Sequence, residues 1–174
     1  ARRARLVLQF METHIMTISV GDKLPEHSFA TPTNDGPGEI STATLADGKT
    51  LVLFGVPGAF TPTCNANHLP GYVGHYDTLK EAGADEVAVV AVNDVFVMGA
   101  WKDSASGADR IHFLADGSAD FAGKIGMELD LTAHGLGKRC KRFSMIVRGG
   151  EVVALNEEEN PGEVDVTGAA TIIE

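Results

Sequence analysis

The sequence predicts an α/β fold in which a central mixed β-sheet is flanked by helices on both faces. Two apolar runs, Leu51 to Val56 and Glu86 to Val92, have the composition of strands that are covered on both sides. A helical pattern follows each run, and a hairpin with the two-residue turn Gly149-Gly150 comes late in the chain. Strands that alternate with helices favour a parallel sheet, and the hairpin adds antiparallel strands to it.

The individual elements are predicted from local patterns. Frequent Gly and Pro residues before Leu51 predict loops, with at most a short strand at 28–30 and another strand at 40–45. Apolar residues spaced by three and four predict a helix from Cys64 to Glu81, kinked at Pro70-Gly71. The remaining predicted elements are a helix from the Asn93-Asp94 cap to Ser104, a strand at 111–115, a helix at 118–125, a glycine-rich stretch to 137, hairpin strands at 143–148 and 151–155, and a final helix at 165–174. A strand leading into a cysteine-bearing helix, followed by a late hairpin and a last helix, is the order of the thioredoxin-like fold.

Length, charge and cysteine count restrict the class of protein. The 174 residues suffice for one domain, which we place at 17–174. A net charge of -10 disfavours a nucleic-acid or anionic-membrane surface, because both attract basic proteins. The two cysteines, Cys64 and Cys140, form neither a disulfide framework nor a zinc-binding pattern, so we expect a reducing compartment, the cytoplasm.

The first sixteen residues differ from the rest of the chain. Residues 1–10 are basic and contain no acidic side chain, which superficially fits an organelle transit peptide. We favour a non-native or disordered extension at 1–16, with a native start at Met11 or Met16, because the pattern of a folded domain begins only at Ile18.

A turn rich in Pro and Thr delivers Cys64 to the start of a helix. The first N–H groups of a helix lack intrahelical partners and favour an anion, so a cysteine placed there is more easily ionised. Thr61 and Thr63 supply hydroxyl groups, and Pro57 and Pro62 restrict the shape of the turn. The sequence thus indicates a reactive thiolate, although a buried structural thiol fits the same residues.

Four motifs, in order, resemble the peroxiredoxin family. Pro57, Thr61 and Cys64 match its active-site pattern of Pro, three residues, Thr, two residues and Cys. The other three are His68-Leu69-Pro70-Gly71, Val92-Asn93-Asp94 and Lys141-Arg142-Phe143-Ser144, which are similar to those of the type II or peroxiredoxin-5 subfamily. The resemblance runs from about residue 20 to residue 173, and it implies a thioredoxin-like thiol peroxidase that acts on hydrogen peroxide and small organic hydroperoxides.

The resemblance also implies roles for individual residues. Cys64 would be the peroxidatic nucleophile, Thr61 the hydroxyl that contacts the thiolate and peroxide, Pro57 the shield over the pocket, and Arg142 the cation against the sulfur. Without the resemblance, Arg142 reads as a solvated residue in a basic run. The predicted supporting residues of the pocket are His68, Gly58, Phe60 and Thr63. The resemblance implies no metal or organic cofactor, and it implies a homodimer.

The sequence leaves open which thiol reduces oxidised Cys64. The positions where this subfamily carries a resolving cysteine, in the strand before Asn93 and near the C-terminus, hold none here. Glutathione with glutaredoxin, or thioredoxin, could therefore attack Cys64 directly. Alternatively Cys140 could resolve Cys64: it lies two residues before Arg142, and alternate residues of a strand share a face.

Two other functions are compatible with a reactive cysteine. In a redox sensor or binding protein, oxidation of Cys64 would alter a partner surface and turnover would be incidental. In a cysteine acyl-transfer enzyme, His68 would act as the base, but no Asn or Asp is evidently placed to orient it.

The acidic run 157–159 is interpreted as a solvated turn.

Overall fold

The computed structural model describes residues 17–174, so the predicted extension at 1–16 lies outside the described part of the chain. Nine strands are present: β1 (Ser28–Thr33), β2 (Gly36–Ser41), β3 (Thr50–Val56), β4 (Glu86–Ala91), β5 (His112–Ala115), β6 (Glu128–Leu131), β7 (Gly137–Cys140), β8 (Phe143–Arg148) and β9 (Glu151–Glu157). Seven of them form one sheet in the order β2-β1-β5-β4-β3-β8-β9, and β6 pairs with β7 in a separate hairpin. Strands β3, β4 and β5 are parallel, whereas the other pairings are antiparallel, which confirms the predicted mixed sheet.

Helices cover both faces of this sheet, as predicted. They are α1 (Thr42–Ala46), α2 (Leu69–Gly74), α3 (Tyr76–Glu81), α4 (Val95–Ser104), α5 (Asp120–Lys124) and α6 (Ala169–Ile173), and a π-helical turn at Cys64–His68 precedes α2. Buried residues of α1 and α5 join the core on one face, and those of α2, α3, α4 and α6 join the core on the other.

Strand β3 divides the interior into two cores. Leu51 and Leu53 contribute to one core, whereas Val52, Phe54 and Val56 contribute to the other. Successive side chains of a strand point to opposite faces, so a continuous apolar run is what a sheet covered on both sides requires. The strand predicted from this run is confirmed.

The predicted strand at 40–45 is wrong. Ser41 ends β2, and α1 begins at the next residue. The Ser41 hydroxyl caps this helix by accepting a hydrogen bond from the N–H of Thr44. The β1–β2 hairpin extends well beyond the predicted strand at 28–30. Pro37 is tolerated in β2 because this is an edge strand of the sheet.

Three other local predictions differ from the structure. The single helix predicted from Cys64 to Glu81 is divided into the π-helical turn, α2 and α3, and Pro70 lies in the first turn of α2, where a missing N–H costs no hydrogen bond. The break falls at His75, between α2 and α3. The glycine-rich stretch to 137 contains β6, whose partner β7 begins at Gly137, and the final helix spans only Ala169–Ile173.

Candidate active site

The turn after β3 is held rigidly against the neighbouring strand. Pro57 and Gly58 are buried directly after the strand, and the side-chain oxygen of Asn93, which follows β4, accepts a hydrogen bond from the N–H of Ala59 at 2.9 Å. Phe60 has φ 61°, a left-handed conformation that is uncommon for a bulky residue. The parallel strands β3 and β4 end at the same edge of the sheet. The hydrogen bond from Ala59 to Asn93 therefore joins the turn after β3 to the residues that follow β4.

Cys64 opens the π-helical turn and is completely buried. The N–H of Leu69 donates to the carbonyl of Cys64, a span of five residues that widens this turn relative to an α-helix. Turns of this kind occur frequently at functional sites. The thiol therefore sits at the base of the turn instead of on its solvent side.

The guanidinium of Arg142 contacts the sulfur of Cys64. Its Nη2 lies 3.1 Å from Sγ, its Nη1 donates to Nδ1 of His68 at 2.9 Å, and its Nε donates to the carbonyl of Pro161 at 3.0 Å. Arg142 is only 2% exposed, so it is not the solvated residue that its basic run suggests. Three bonds in different directions fix the plane of the guanidinium and aim one edge at the thiol.

His68 is neutral and has one defined tautomer. Arginine cannot accept a hydrogen bond, so Nδ1 of His68 must be the acceptor from Arg142, and Nε2 therefore carries the proton and donates to the carbonyl of Thr167 at 3.0 Å. Burial, assisted by the adjacent positive charge of Arg142, lowers the pKa of His68 to about 4. Because Nδ1 and Nε2 are both occupied by other groups, His68 is not placed as a base for Cys64, which removes the acyl-transfer alternative.

Acidification is expected to destabilise the protein through His68. The pKa of this histidine is 6.5 before folding and about 4 in the folded protein, so the unfolded state binds more protons between these values. The free energy of unfolding therefore falls as the pH falls through this window, by roughly 3 kcal/mol at about pH 4. Urea unfolding at about pH 7.5 and about pH 4 measures the loss. An equal loss in His68→Asn would contradict its origin in this side chain, and His134→Asn, which alters an exposed histidine, serves as the control.

The remaining predicted pocket residues surround the thiol in different ways. The hydroxyl of Thr61 donates to the carbonyl of Gly58 at 2.7 Å, so its oxygen is available to accept a hydrogen bond and not to donate one to sulfur. Thr63 points away from the thiol and donates to the carbonyl of Gly162 at 2.8 Å. The side chain of Phe60 is 48% exposed at the rim. Gly58 lies against Arg139: a Cβ at this position would lie 2.8 Å from a guanidinium nitrogen of Arg139, so that flexible side chain would have to shift.

Cys140 belongs to the other core. It packs with Leu51 and Leu53, whereas Cys64 packs with Val52 and Phe54 on the opposite face of the sheet. The argument that Cys140 and Arg142 share a strand face is wrong, because β7 ends at Cys140 and Arg142 lies between β7 and β8. Burial strongly raises the pKa of the Cys140 thiol, which keeps it protonated.

Sequence reasoning missed the carboxylate of Glu158. The run 157–159 is not a solvated turn: Glu157 ends β9 and Glu158 is 9% exposed. Its Oε1 accepts hydrogen bonds from the N–H groups of Asp165, Val166 and Thr167 and from the Thr167 hydroxyl. Glu158 lies just after β9, and nothing in the local sequence indicates that one of three consecutive glutamates turns inward.

The described part of the chain has neither a metal-binding cluster nor a membrane-spanning helix. Residues 17–174 contain no group of three or more His, Cys, Asp or Glu side chains arranged around a common metal position. Within the same range, every helix is too short or too polar to cross a bilayer.

Comparison with known proteins identifies the class to which this fold and site belong. The chain matches the Redoxin family over residues 19–173. It is 41% identical to Peroxiredoxin-2D of Arabidopsis thaliana over 157 residues, which cover 90% of this chain and 96% of that protein. It is 43% identical over 147 residues to the chloroplastic Peroxiredoxin-2E of the same plant, covering 82% of this chain and 63% of the relative.

A solved structure shows the same likeness in three dimensions. The crystal structure of reduced Prx3 from Vibrio vulnificus in complex with hydrogen peroxide superposes with a TM-score of 0.84 at 43% identity, and the match covers 90% of this chain and 98% of that one. The family match and these relatives, together with the thioredoxin-like fold, define a thiol-dependent peroxidase. The chain belongs to the peroxiredoxin family and is a type II peroxiredoxin.

Proposed function

We propose that this peroxiredoxin reduces hydrogen peroxide and small organic hydroperoxides at Cys64, and that an external thiol resets it. The observation that carries the proposal is the 3.1 Å contact between Nη2 of Arg142 and Sγ of Cys64. A buried cation at hydrogen-bond distance favours the thiolate, which is the nucleophilic form of cysteine. The related Vibrio vulnificus protein was crystallised with hydrogen peroxide, which supports the choice of substrate.

The chemistry is a displacement at oxygen. The thiolate of Cys64 donates an electron pair to one peroxide oxygen, the O–O bond breaks, and the other oxygen leaves as an alkoxide or hydroxide that takes up a proton. Sulfur is oxidised to sulfenic acid and the peroxide is reduced to an alcohol or water. Charge moves onto oxygen in the transition state, so fixed donors such as Arg142 stabilise that state more than the ground state.

Thr61 and Pro57 have supporting roles in the proposal. The oxygen of Thr61, whose proton is engaged by the Gly58 carbonyl, can accept a hydrogen bond from the O–H of an incoming hydroperoxide. The buried ring of Pro57 limits access of water to the thiolate. Thr61 thus orients the peroxide and Pro57 limits water, while Cys64 is the nucleophile.

The opposite placement of the two cysteines supports an external reductant. A thiol such as glutathione would attack the sulfenic sulfur and release water to give a mixed disulfide. A second thiol, supplied by glutathione, glutaredoxin or thioredoxin, would then release Cys64 as a thiol. Cys140 is buried in the other core, and it could compete only if its Cα came within the roughly 7 Å of the Cys64 Cα that a disulfide requires.

Mass spectrometry after one equivalent of peroxide tests this single-cysteine cycle. Without added thiol, we expect Cys64 to carry one extra oxygen that dimedone traps, and Cys140 to remain a free thiol, because burial keeps it protonated. The Cys140→Ser variant should give the same product. An internal disulfide between the two cysteines would contradict the proposal.

Turnover measurements distinguish reductants and also separate an enzyme from a sensor. Steady-state peroxide consumption is compared with glutathione plus glutaredoxin and with thioredoxin plus its reductase. Sustained turnover with either is the expected result, whereas a single equivalent consumed with both would favour the sensor alternative. The family relationship does not favour that alternative.

The proposal also includes the organisation of the protein. Residues 17–174 would form one peroxiredoxin domain, which would act in the cytoplasm as a homodimer. The Redoxin match over residues 19–173 supports the domain boundaries. Analytical ultracentrifugation at several concentrations measures the oligomeric state.

A further inference from the structure

The segment after β9 forms a second layer of bonds behind the active-site arginine. Oε1 of Glu158 accepts bonds of 2.7 to 2.9 Å from three successive N–H groups, those of Asp165, Val166 and Thr167, and a fourth from the Thr167 hydroxyl. Successive N–H groups that converge on one anion form a rigid concave turn. The carboxylate therefore determines where the carbonyl of Thr167 points.

That carbonyl is the acceptor that holds two side chains of the active site. The oxygen of Thr167 accepts from Nε2 of His68 at 3.0 Å and from the hydroxyl of Tyr72 at 2.8 Å. The ring of Tyr72 stacks on Phe54 with centroids 3.9 Å apart, so its hydroxyl has little freedom to follow a displaced carbonyl. Thr167 is completely buried, and water is therefore not available as a substitute acceptor.

The tautomer of His68 transmits this arrangement to Arg142. While Nε2–H is bound to Thr167, Nδ1 is the free acceptor that receives Nη1 of Arg142 at 2.9 Å. If the Thr167 carbonyl moved away, the imidazole could rotate or exchange its proton, and Nη1 would lose its acceptor. The main chain of Glu158 is also tied to Arg142, because its N–H donates to the Arg142 carbonyl at 3.0 Å.

We infer that Glu158 is a positioning residue for peroxide reduction: its carboxylate fixes the turn at 165–167, the turn fixes His68, and His68 holds the guanidinium of Arg142 against Cys64. This inference rests on the proposed function of Cys64 and Arg142. The ion pairs within residues 17–174 do not include one between Glu158 and Arg142, so the influence passes through the hydrogen bonds and not through a direct contact.

The test compares Glu158→Ala and Glu158→Gln. Two quantities are measured: the second-order rate constant for hydrogen peroxide by stopped flow, and the rate constant for alkylation of Cys64 at one fixed pH. In Glu158→Ala we expect the peroxide rate constant to fall by roughly 10- to 100-fold, the cost of slightly misplaced catalytic groups, and the alkylation of Cys64 to slow as well. Glu158→Gln should recover most of both, because its Oε1 can accept the same bonds.

A matched control is Glu86→Ala. Glu86 is also a partly buried carboxylate with two side-chain partners, Lys49 and His112, but it lies at the start of β4, the opposite end of the parallel strands from the thiol. Its removal should leave both measured quantities unchanged. If Glu158→Ala fails to fold, by circular dichroism, Glu158→Asp replaces it, with an intermediate effect expected because the shorter side chain reaches fewer donors.

A double-mutant cycle tests the proposed route through histidine. In the His68→Asn background, Glu158→Ala should change the rate constant by less than about twofold. The same factor in both backgrounds would overturn the route, as would a Glu158→Ala variant with the peroxide and alkylation rate constants of the wild type. Equal loss in Glu158→Ala and Glu158→Gln would show that charge matters and not the bonds. If the wild type itself reduced no peroxide, the proposed function would fail and not this inference alone.

Discussion

The Cys64→Ser variant is expected to consume no peroxide above the uncatalysed background. A serine hydroxyl is not ionised beside Arg142 at neutral pH. The serine oxygen also cannot take up an oxygen atom from the peroxide, as the cysteine sulfur does when it becomes a sulfenic acid. The side chain is almost the same size, so the completely buried position should stay filled and the fold intact. Peroxide consumption with excess reductant, followed by a colorimetric assay, measures the loss.

Cys140→Ser is the control for this experiment. Both cysteines are buried free thiols, and each core contains one of them. The two substitutions therefore make the same chemical change in the two cores. We expect Cys140→Ser to retain most of the activity, since the Cys140 thiol is kept protonated by burial and is part of the other core. Equal activity of Cys64→Ser and wild type would refute the assignment of Cys64 as nucleophile.

The parts of the fold that the sequence predicts well are those with an uninterrupted local pattern. Strand β3 and strand β4 are buried on both faces and therefore appear as continuous apolar runs. The Gly149-Gly150 turn joins β8 and β9 because both residues have positive φ, at 57° and 87°, which glycine adopts without strain. In contrast, the β1–β2 hairpin carries Pro and Gly in an edge strand, where the sheet tolerates them, so local breaker signals mislead.

The site follows a similar division between local and distant information. The turn from Pro57 to Cys64 is contiguous, and its chemistry can be inferred from residue types alone. Arg142 lies 78 residues further along the chain, and its own neighbours suggest a solvated basic run. Only the resemblance to a family placed it at the thiol, because nothing local encodes a pairing of that length.

Neither the local sequence pattern nor the family resemblance predicted the buried carboxylate of Glu158. A run of three glutamates normally indicates solvent exposure, since burying a carboxylate costs free energy unless hydrogen bonds replace its water. Here the replacement comes from backbone N–H groups at 165–167, and backbone groups leave no mark in the sequence. Burial alone would raise the pKa of Glu158, but these bonds outweigh it and hold the pKa below the ordinary value.

Arg142→Ala is expected to slow peroxide reduction by roughly 10²-fold or more, the usual cost of removing one preorganised transition-state donor. Two losses combine. The thiolate of Cys64 loses the cation in contact with it, and the developing charge on the leaving oxygen loses its donor. Stopped-flow rate constants for peroxide, compared with alkylation rates of Cys64, separate the two losses, because alkylation uses the thiolate but has no leaving oxygen.

Arg142→Lys and Arg148→Ala complete this experiment. Lysine keeps the positive charge but lacks the planar fork that binds Cys64, His68 and Pro161 in three directions, so its rate should lie between those of the wild type and Arg142→Ala. Arg148 is exposed at the far end of β8, and its removal should leave the rate unchanged. A lysine variant as fast as the wild type would show that charge alone suffices. In that case the hydrogen bonds that Arg142 donates to His68 and Pro161 would stabilise the fold and not the transition state. Their geometry matters to the reaction only if it directs the guanidinium at the sulfur.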